Sequence, residues 1–180
     1  LLLQMFEDPG LEHRLATAVA LAERFQAHLV GLTVAPPPVM PFGYGEAAAY
    51  GGPQIFEAQR GANHAIAERL QAAFDKALAG TGLSSVRRDE EGDAARLYAR
   101  AAATVDLVVT GQEVGDMLDA VVPNVTEHLV TEAGGPVLMP PPGGLGGPLR
   151  RRVMGGRDGT KGAQRALDFA GPLPKFPVPG

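Results

Sequence analysis

Apolar residues along this chain fall into short unbroken runs separated by stretches with helical spacing. LLLQMF, residues 1–6, is an apolar run of strand length. Leu11, Leu15, Val19 and Ala22 then recur at helical intervals as far as Phe25, which predicts an amphipathic helix. AHLVGLTV, residues 27–34, is a second strand, stopped by Pro36-Pro37-Pro38, which lack the N–H groups a sheet needs. PPPVMPFGYGEAAAYGGP, residues 36–53, reads as a long Gly/Pro/Ala loop. Ile66, Leu70, Ala73 and Ala77 mark one face of the next helix, and Gly80 and Gly82 end it.

The second half of the pattern repeats the alternation. Ser84 to Arg88 is a weak third strand, and Asp93 is placed to cap a short helix with Leu97, Tyr98 and Ala101 inward. DLVVTG, residues 106–111, is the clearest buried strand. Pro123 suits the first turn of a helix carrying Val125 and Leu129. Gly134-Gly135 ends that helix, and PVLMP, residues 136–140, is the fifth strand. Strands alternating with helices at this spacing imply parallel strands, right-handed crossovers and helices on both faces. The fold class is therefore α/β, a doubly wound five-stranded parallel sheet over residues 1–142. Ligands bind such sheets at the carboxyl ends of the strands, where strand order reverses.

A Gly/Pro-rich linker occupies 143–150, and RRVMGGRDGTKGAQRALDFA, residues 151–170, repeats the opening unit. Leu167 aligns with Leu15 in that repeat. One strand and one helix cannot bury a core, so residues 151–180 read as the incomplete start of a second, similar domain, or as an appendage of the first.

Composition narrows the function classes. Hydrophobic residues make up 45% of the 180 positions, enough for a real core, and the net charge of −4 gives no electrostatic case for a nucleic-acid partner. With no cysteine, disulfides and thiolate metal sites are excluded, and a reducing, cytoplasmic setting is expected. No run approaches the roughly 18 apolar residues of a membrane span. The opening LLLQMF reads as a start inside a strand and not as a signal peptide, with the natural N-terminus expected to be missing.

LATAVALAERFQAHLVGLTV, then EGDAARLYARAAATVDLVVTGQ, then VTEHLVTEAGGPVLMPP together resemble the universal stress protein family, in order and at normal spacings. RVMGGRDGTKGAQRALDFAGPL resembles the start of another such domain, so the whole looks like a tandem arrangement. The resemblance implies a Rossmann-like sheet ordered 3-2-1-4-5 and a non-catalytic, stress-linked regulatory role. It also implies pairing across the fifth strand, residues 136–140, either in a homo-oligomer or between domains of one chain. One branch of the family resembles ATP-binding proteins. In it an acid follows strand one, and a loop of the form G-x-x-G-x9-G-[S/T] after strand four holds the phosphates.

Gly111 matches the first glycine of that loop. Val114 stands where the second is wanted, with Gly115 one place late, and Asn124 and Val125 stand for the closing Gly-Ser/Thr pair. Loop glycines matter because they allow positive φ and close backbone approach, so that successive N–H groups can point at an anion. A β-branched residue in such a position costs about 1–2 kcal/mol. A lost charge-assisted hydrogen bond costs about 1.5–3 kcal/mol. Together they lower triphosphate affinity by roughly two to three orders of magnitude. Asn124 can still adopt one positive φ. After strand one, Phe6 occupies the position of the acid, and Glu7 and Asp8 just beyond suit a helix N-terminus.

The repeat keeps Asp158-Gly159-Thr160, similar to the family's Asp-Gly-Ser turn. The candidate nucleotide contacts are thus Gly111, Asn124, Asp158, Gly159 and Thr160, with no catalytic residue and no metal ligand expected. No cofactor is expected in the first domain, while ATP is possible in the second half. GGRDGTKG does not fit the spacing G-x-x-x-x-G-K-[ST]. His13, His28, His64 and His128 share no ligand spacing, and Asp89-Glu90-Glu91-Gly92-Asp93 reads as a solvated turn. Phe42, Tyr44 and Tyr50, on the loop after strand two, are placed to cover the crevice as a lid. Two other readings stay open beside the non-catalytic one: an adenine-nucleotide (ATP or AMP) binder or slow ATPase using the second half, and a nucleotide-binding α/β enzyme whose catalytic domain lies elsewhere.

Overall fold

The computed structural model describes residues 1–39, 48–112 and 125–144. The elements are β1 (Leu2–Met5), α1 (Leu11–Phe25), β2 (Leu29–Ala35), α2 (Ala48–Leu78), β3 (Ser85–Glu91), α3 (Ala94–Ala102), β4 (Val108–Val109), α4 (Val125–Glu132) and β5 (Val137–Leu138). The strands form one five-stranded sheet in the order β3-β2-β1-β4-β5, as the resemblance implies. Every pairing is parallel, with Leu3 of β1 opposite Gly31 of β2 and Val109 of β4.

β1 is central, and all four of its residues are buried. A strand buried on both faces is apolar nearly throughout, which is why LLLQM reads as a run broken only by Gln4. Successive side chains enter different cores because the strand period is two. Leu3, Met5 and Val109 join Leu15, Ala18 and Leu21 of α1 and Leu70 and Phe74 of α2. Leu2 and Val108 join Tyr98 of α3, Val125 and Leu129 of α4, and Ala133 just after it, on the opposite face. Burying each such leucine or phenylalanine contributes about 1.5–3 kcal/mol before entropy is counted. Asp93 caps α3 as its position predicts, accepting from the Arg96 amide at 3.2 Å.

α2, β3 and β5 depart from the pattern-based boundaries, and β4 keeps only Val108–Val109 of the expected 106–111. α2 begins at Ala48, so the last part of the expected 36–53 loop is helical and Tyr50 belongs to the helix. Ala48 and Ala49 favour helix, and Pro53 lies close enough to its start to remove only one ladder bond. At 31 residues α2 is about 46 Å long, against about 23 Å for the seven-residue β2, so it overhangs the sheet. The acidic run is not a free turn: Asp89 to Glu91 continue β3, in register with Thr33 to Ala35. Arg87 pairs with Asp89, and Arg100 with Glu90 at 2.7 Å, which makes this charged edge strand tolerable. β5 is two residues long because Pro136 precedes it and prolines follow, each without a donor N–H. Pro123, Phe42 and Tyr44 lie outside the described residues. Among the described residues no helix is long and apolar enough to cross a membrane.

Candidate functional site

Strand order reverses between β1 and β4, so the site to inspect is the crevice at their carboxyl ends. Phe6, Glu7 and Asp8 leave β1 there, and Thr110 and Gly111 leave β4. The first turn of α1 closes one side. Arg14, three residues after Leu11, points into this crevice and is only 2% exposed.

A buried guanidinium is costly unless its donors are engaged. Here Arg14 Nε donates to the Gln4 carbonyl at 3.1 Å, and Nη2 donates to the Phe6 carbonyl at 2.9 Å and to Asp8 Oδ1 at 2.8 Å. The Phe6 ring lies 4.1 Å beneath its Cζ, a cation–π stack in a desolvated setting. Its remaining arm abuts Gly111. A Cβ added at Gly111 would collide with Arg14 Nη1 and stand 2.7 Å from Phe6 Cζ. The glycine that the loop pattern reserves for a ligand is needed here for the protein's own side chains.

A second polar network forms the floor. Thr110 Oγ1 donates to Gln4 Oε1, and Thr126 Oγ1, in the first turn of α4, donates to the Gly111 carbonyl at 3.0 Å. Thr110 and Thr126 hydroxyls lie 3.4 Å apart, and Gln4, Thr110 and Thr126 are all buried. A hydroxyl therefore does stand near the place where the ATP-binding branch has one. It comes one residue after the expected position and is directed inward. Val125, at the expected position, packs into the α3/α4 core.

Asp8 does sit at the helix start as expected, since its Oδ2 accepts from the Gly10 amide at 3.2 Å. Glu7 does not. It reaches across to α2, where Arg69 Nε and Nη2 donate to its two oxygens at 2.6 and 2.9 Å. These hydrogen bonds hold the Glu7 carboxyl below its ordinary value. A lowered folded-state value means the contribution is present above the ordinary carboxylate range and is lost as pH falls through the lowered value. Arg69→Met is expected to return Glu7 to the ordinary range and remove that step from the acid limb, as carboxyl-carbon NMR titration would show. The effect on stability will be small and salt-sensitive, because both side chains are exposed.

The chain leaving β2 turns toward α2. Val39 exchanges two hydrogen bonds with the Gln59 side chain, at 2.8 and 2.9 Å, and the Pro36 carbonyl accepts from Asn63 at 3.1 Å. Of the residues proposed from sequence, the structure places Gly111 in the crevice; Asn124, Asp158, Gly159 and Thr160 lie outside the described residues, as do Val114 and Gly115. Among the described residues, no group of metal-ligating side chains is found.

Sequence reasoning missed Arg14, although the signal was present. It falls three residues after Leu11 and four before Ala18, inside the apolar stripe of α1, where a charged residue needs a buried partner.

The order and direction of the strands agree with a wider comparison. Residues 8–141 match the model of the universal stress protein family. The chain belongs to that family. UspA from Lactobacillus plantarum, a universal stress protein, is similar in fold, with 17% identity and a TM-score of 0.59, over 77% of this chain and 94% of that one. A universal stress protein family member from Burkholderia pseudomallei shows 24% identity and a TM-score of 0.50, over 77% of this chain and 92% of its own. At these identities the likeness establishes fold alone. No curated protein sequence matches the chain.

Proposed function

We propose that this universal stress protein domain is a non-catalytic, stress-linked regulatory module that does not retain ATP. One observation carries the reading: Phe6 and Arg14 fill the crevice beside Gly111 where the ATP-binding branch of the family holds its ligand. The loop substitutions at Val114, Asn124 and Val125 support it independently from sequence. Among the described residues, Asp8, Gln4, Thr110 and Thr126 at the crevice are engaged with the protein's own groups, which supports a non-catalytic role.

The second reading is adenine-nucleotide binding, or slow ATP hydrolysis, through the second half. It draws on Asp158-Gly159-Thr160, which keeps an acid where the first unit has Phe6. Pairing through residues 136–140, in a homo-oligomer or between domains, belongs to the same proposal. Val137 and Leu138 are partly buried against the two cores, so pairing would use the open backbone edge of β5 more than its side chains. The cysteine-free sequence supports a cytoplasmic setting.

Native mass spectrometry of the 180-residue chain, purified without added nucleotide, tests these readings together. The expected spectrum shows bare polypeptide, as a dimer. ATP that survives Asp158→Ala would overturn the first reading, whereas ATP lost in that variant would move the activity to the second half.

A further inference from the structure

The chain does not leave the domain at β5. From Leu138 it returns past the end of β4 to α1, because β4 is the strand lying between β5 and β1. Pro140 is buried, and the Gly144 amide donates to the Pro141 carbonyl at 2.9 Å, closing a turn. That turn lies against the start of α1. A Cβ on Gly10 would stand 2.9 Å from Asp8 Oδ2 and 3.2 Å from Pro142 Cα, and one on Gly144 would stand 2.7 Å from His13 Nδ1. Gly10 and His13 belong to the same helical turn as Arg14, whose amide donates to the Gly10 carbonyl at 2.9 Å.

The geometry points to a strap: residues 140–144 hold the first turn of α1 against the sheet, and so hold Arg14 in the crevice. Anything that pulls on the chain after Gly144 then pulls on the turn that carries Arg14. This rests on the reading of a crevice closed by Phe6 and Arg14, and it adds the element that controls the closure.

Two glycines permit a clean test in the 180-residue chain. Gly144 has φ of 75° and no room for a Cβ, while Gly134 has φ of 67° and open space around it. Valine at either position meets the same backbone strain, but only at 144 does it also push the strap from His13. Valine at Gly10 would crowd Asp8, the partner of Arg14, so the second variant is Pro142→Gly, which loosens the strap without adding an atom near α1. Amide hydrogen exchange of Arg14 through Thr17 is the readout, with circular dichroism to confirm the fold. Gly144→Val and Pro142→Gly are expected to speed exchange there at least tenfold, and Gly134→Val to leave it within twofold of the parent chain. Unchanged exchange in the first two variants, or equal acceleration in all three, would overturn the strap. Nucleotide plays no part in this measurement, so the result stands apart from whether ATP is retained.

Discussion

Arg14→Ala is expected to lower folding stability by about 3 kcal/mol, toward the smaller end of the 3–5 kcal/mol typical of breaking a buried charge pair. The buried carbonyls of Gln4 and Phe6 lose their charged donor, and Phe6 loses its stacking partner. Asp8 keeps some access to water, with 15% of its side chain exposed, which moderates the cost. Gly111→Ala alone is expected to cost about 2 kcal/mol through overpacking against Arg14 and Phe6. With Arg14 removed, the closest clash is gone and Phe6, freed of its stack, need only swing aside from the added methyl, so the double variant should lose about 1 kcal/mol less than the sum of the two. Urea denaturation of the four proteins measures this coupling. Additive losses would mean that Gly111 is glycine for some reason other than the guanidinium beside it.

The parallel sheet was legible because its strands announce themselves by burial on both faces. LLLQM and the LVV of residues 107–109 carry no polar residue except Gln4, and that amide is taken up by Thr110. The helices were legible where one stripe was apolar. Edges were harder: β3 is a strand of mostly charged residues, held in the sheet by the β2 backbone and by pairs such as Arg87 with Asp89. No hydrophobic period marks such a strand, so Asp89 to Glu91 looked like a turn. The α2 boundary was obscured by Gly51, Gly52 and Pro53, whose local preferences are overridden by continuation of a long helix.

The site was legible in part, and the limit has a physical cause. A motif read by position detects missing glycines and hydroxyls, as at Val114 and Val125. It cannot detect which side chains occupy the crevice. Phe6 in place of an acid suggested a lost ligand contact; only the fold shows that the ring became the platform for a buried arginine from another element. Thr126 makes the same point. Its hydroxyl lies one residue beyond the pattern, and its direction, toward the Gly111 carbonyl, is set by how α4 docks.

That docking rests on few residues, which makes Leu129→Ala the second large expected effect. Leu129 is fully buried among Leu2, Val108, Tyr98 and their neighbours. The described part of α4, Val125–Glu132, has its buried residues on this one face, so its helical state depends on it. Truncating a leucine in such a core costs about 3–4 kcal/mol, the lost transfer energy plus the cavity left behind. Because Thr126 lies three residues before Leu129, loosening the helix also loosens the hydroxyl that fixes Gly111. Val130, next in sequence but 57% exposed, provides the comparison: Val130→Ala should change stability by no more than about 0.5 kcal/mol. Thermal unfolding of both variants, with exchange measured at the Thr110 and Gly111 amides, separates the two contributions. Leu129→Ala should destabilise the fold and also speed exchange at those amides, whereas equal, small losses in both variants would show that α4 is not what secures the end of β4.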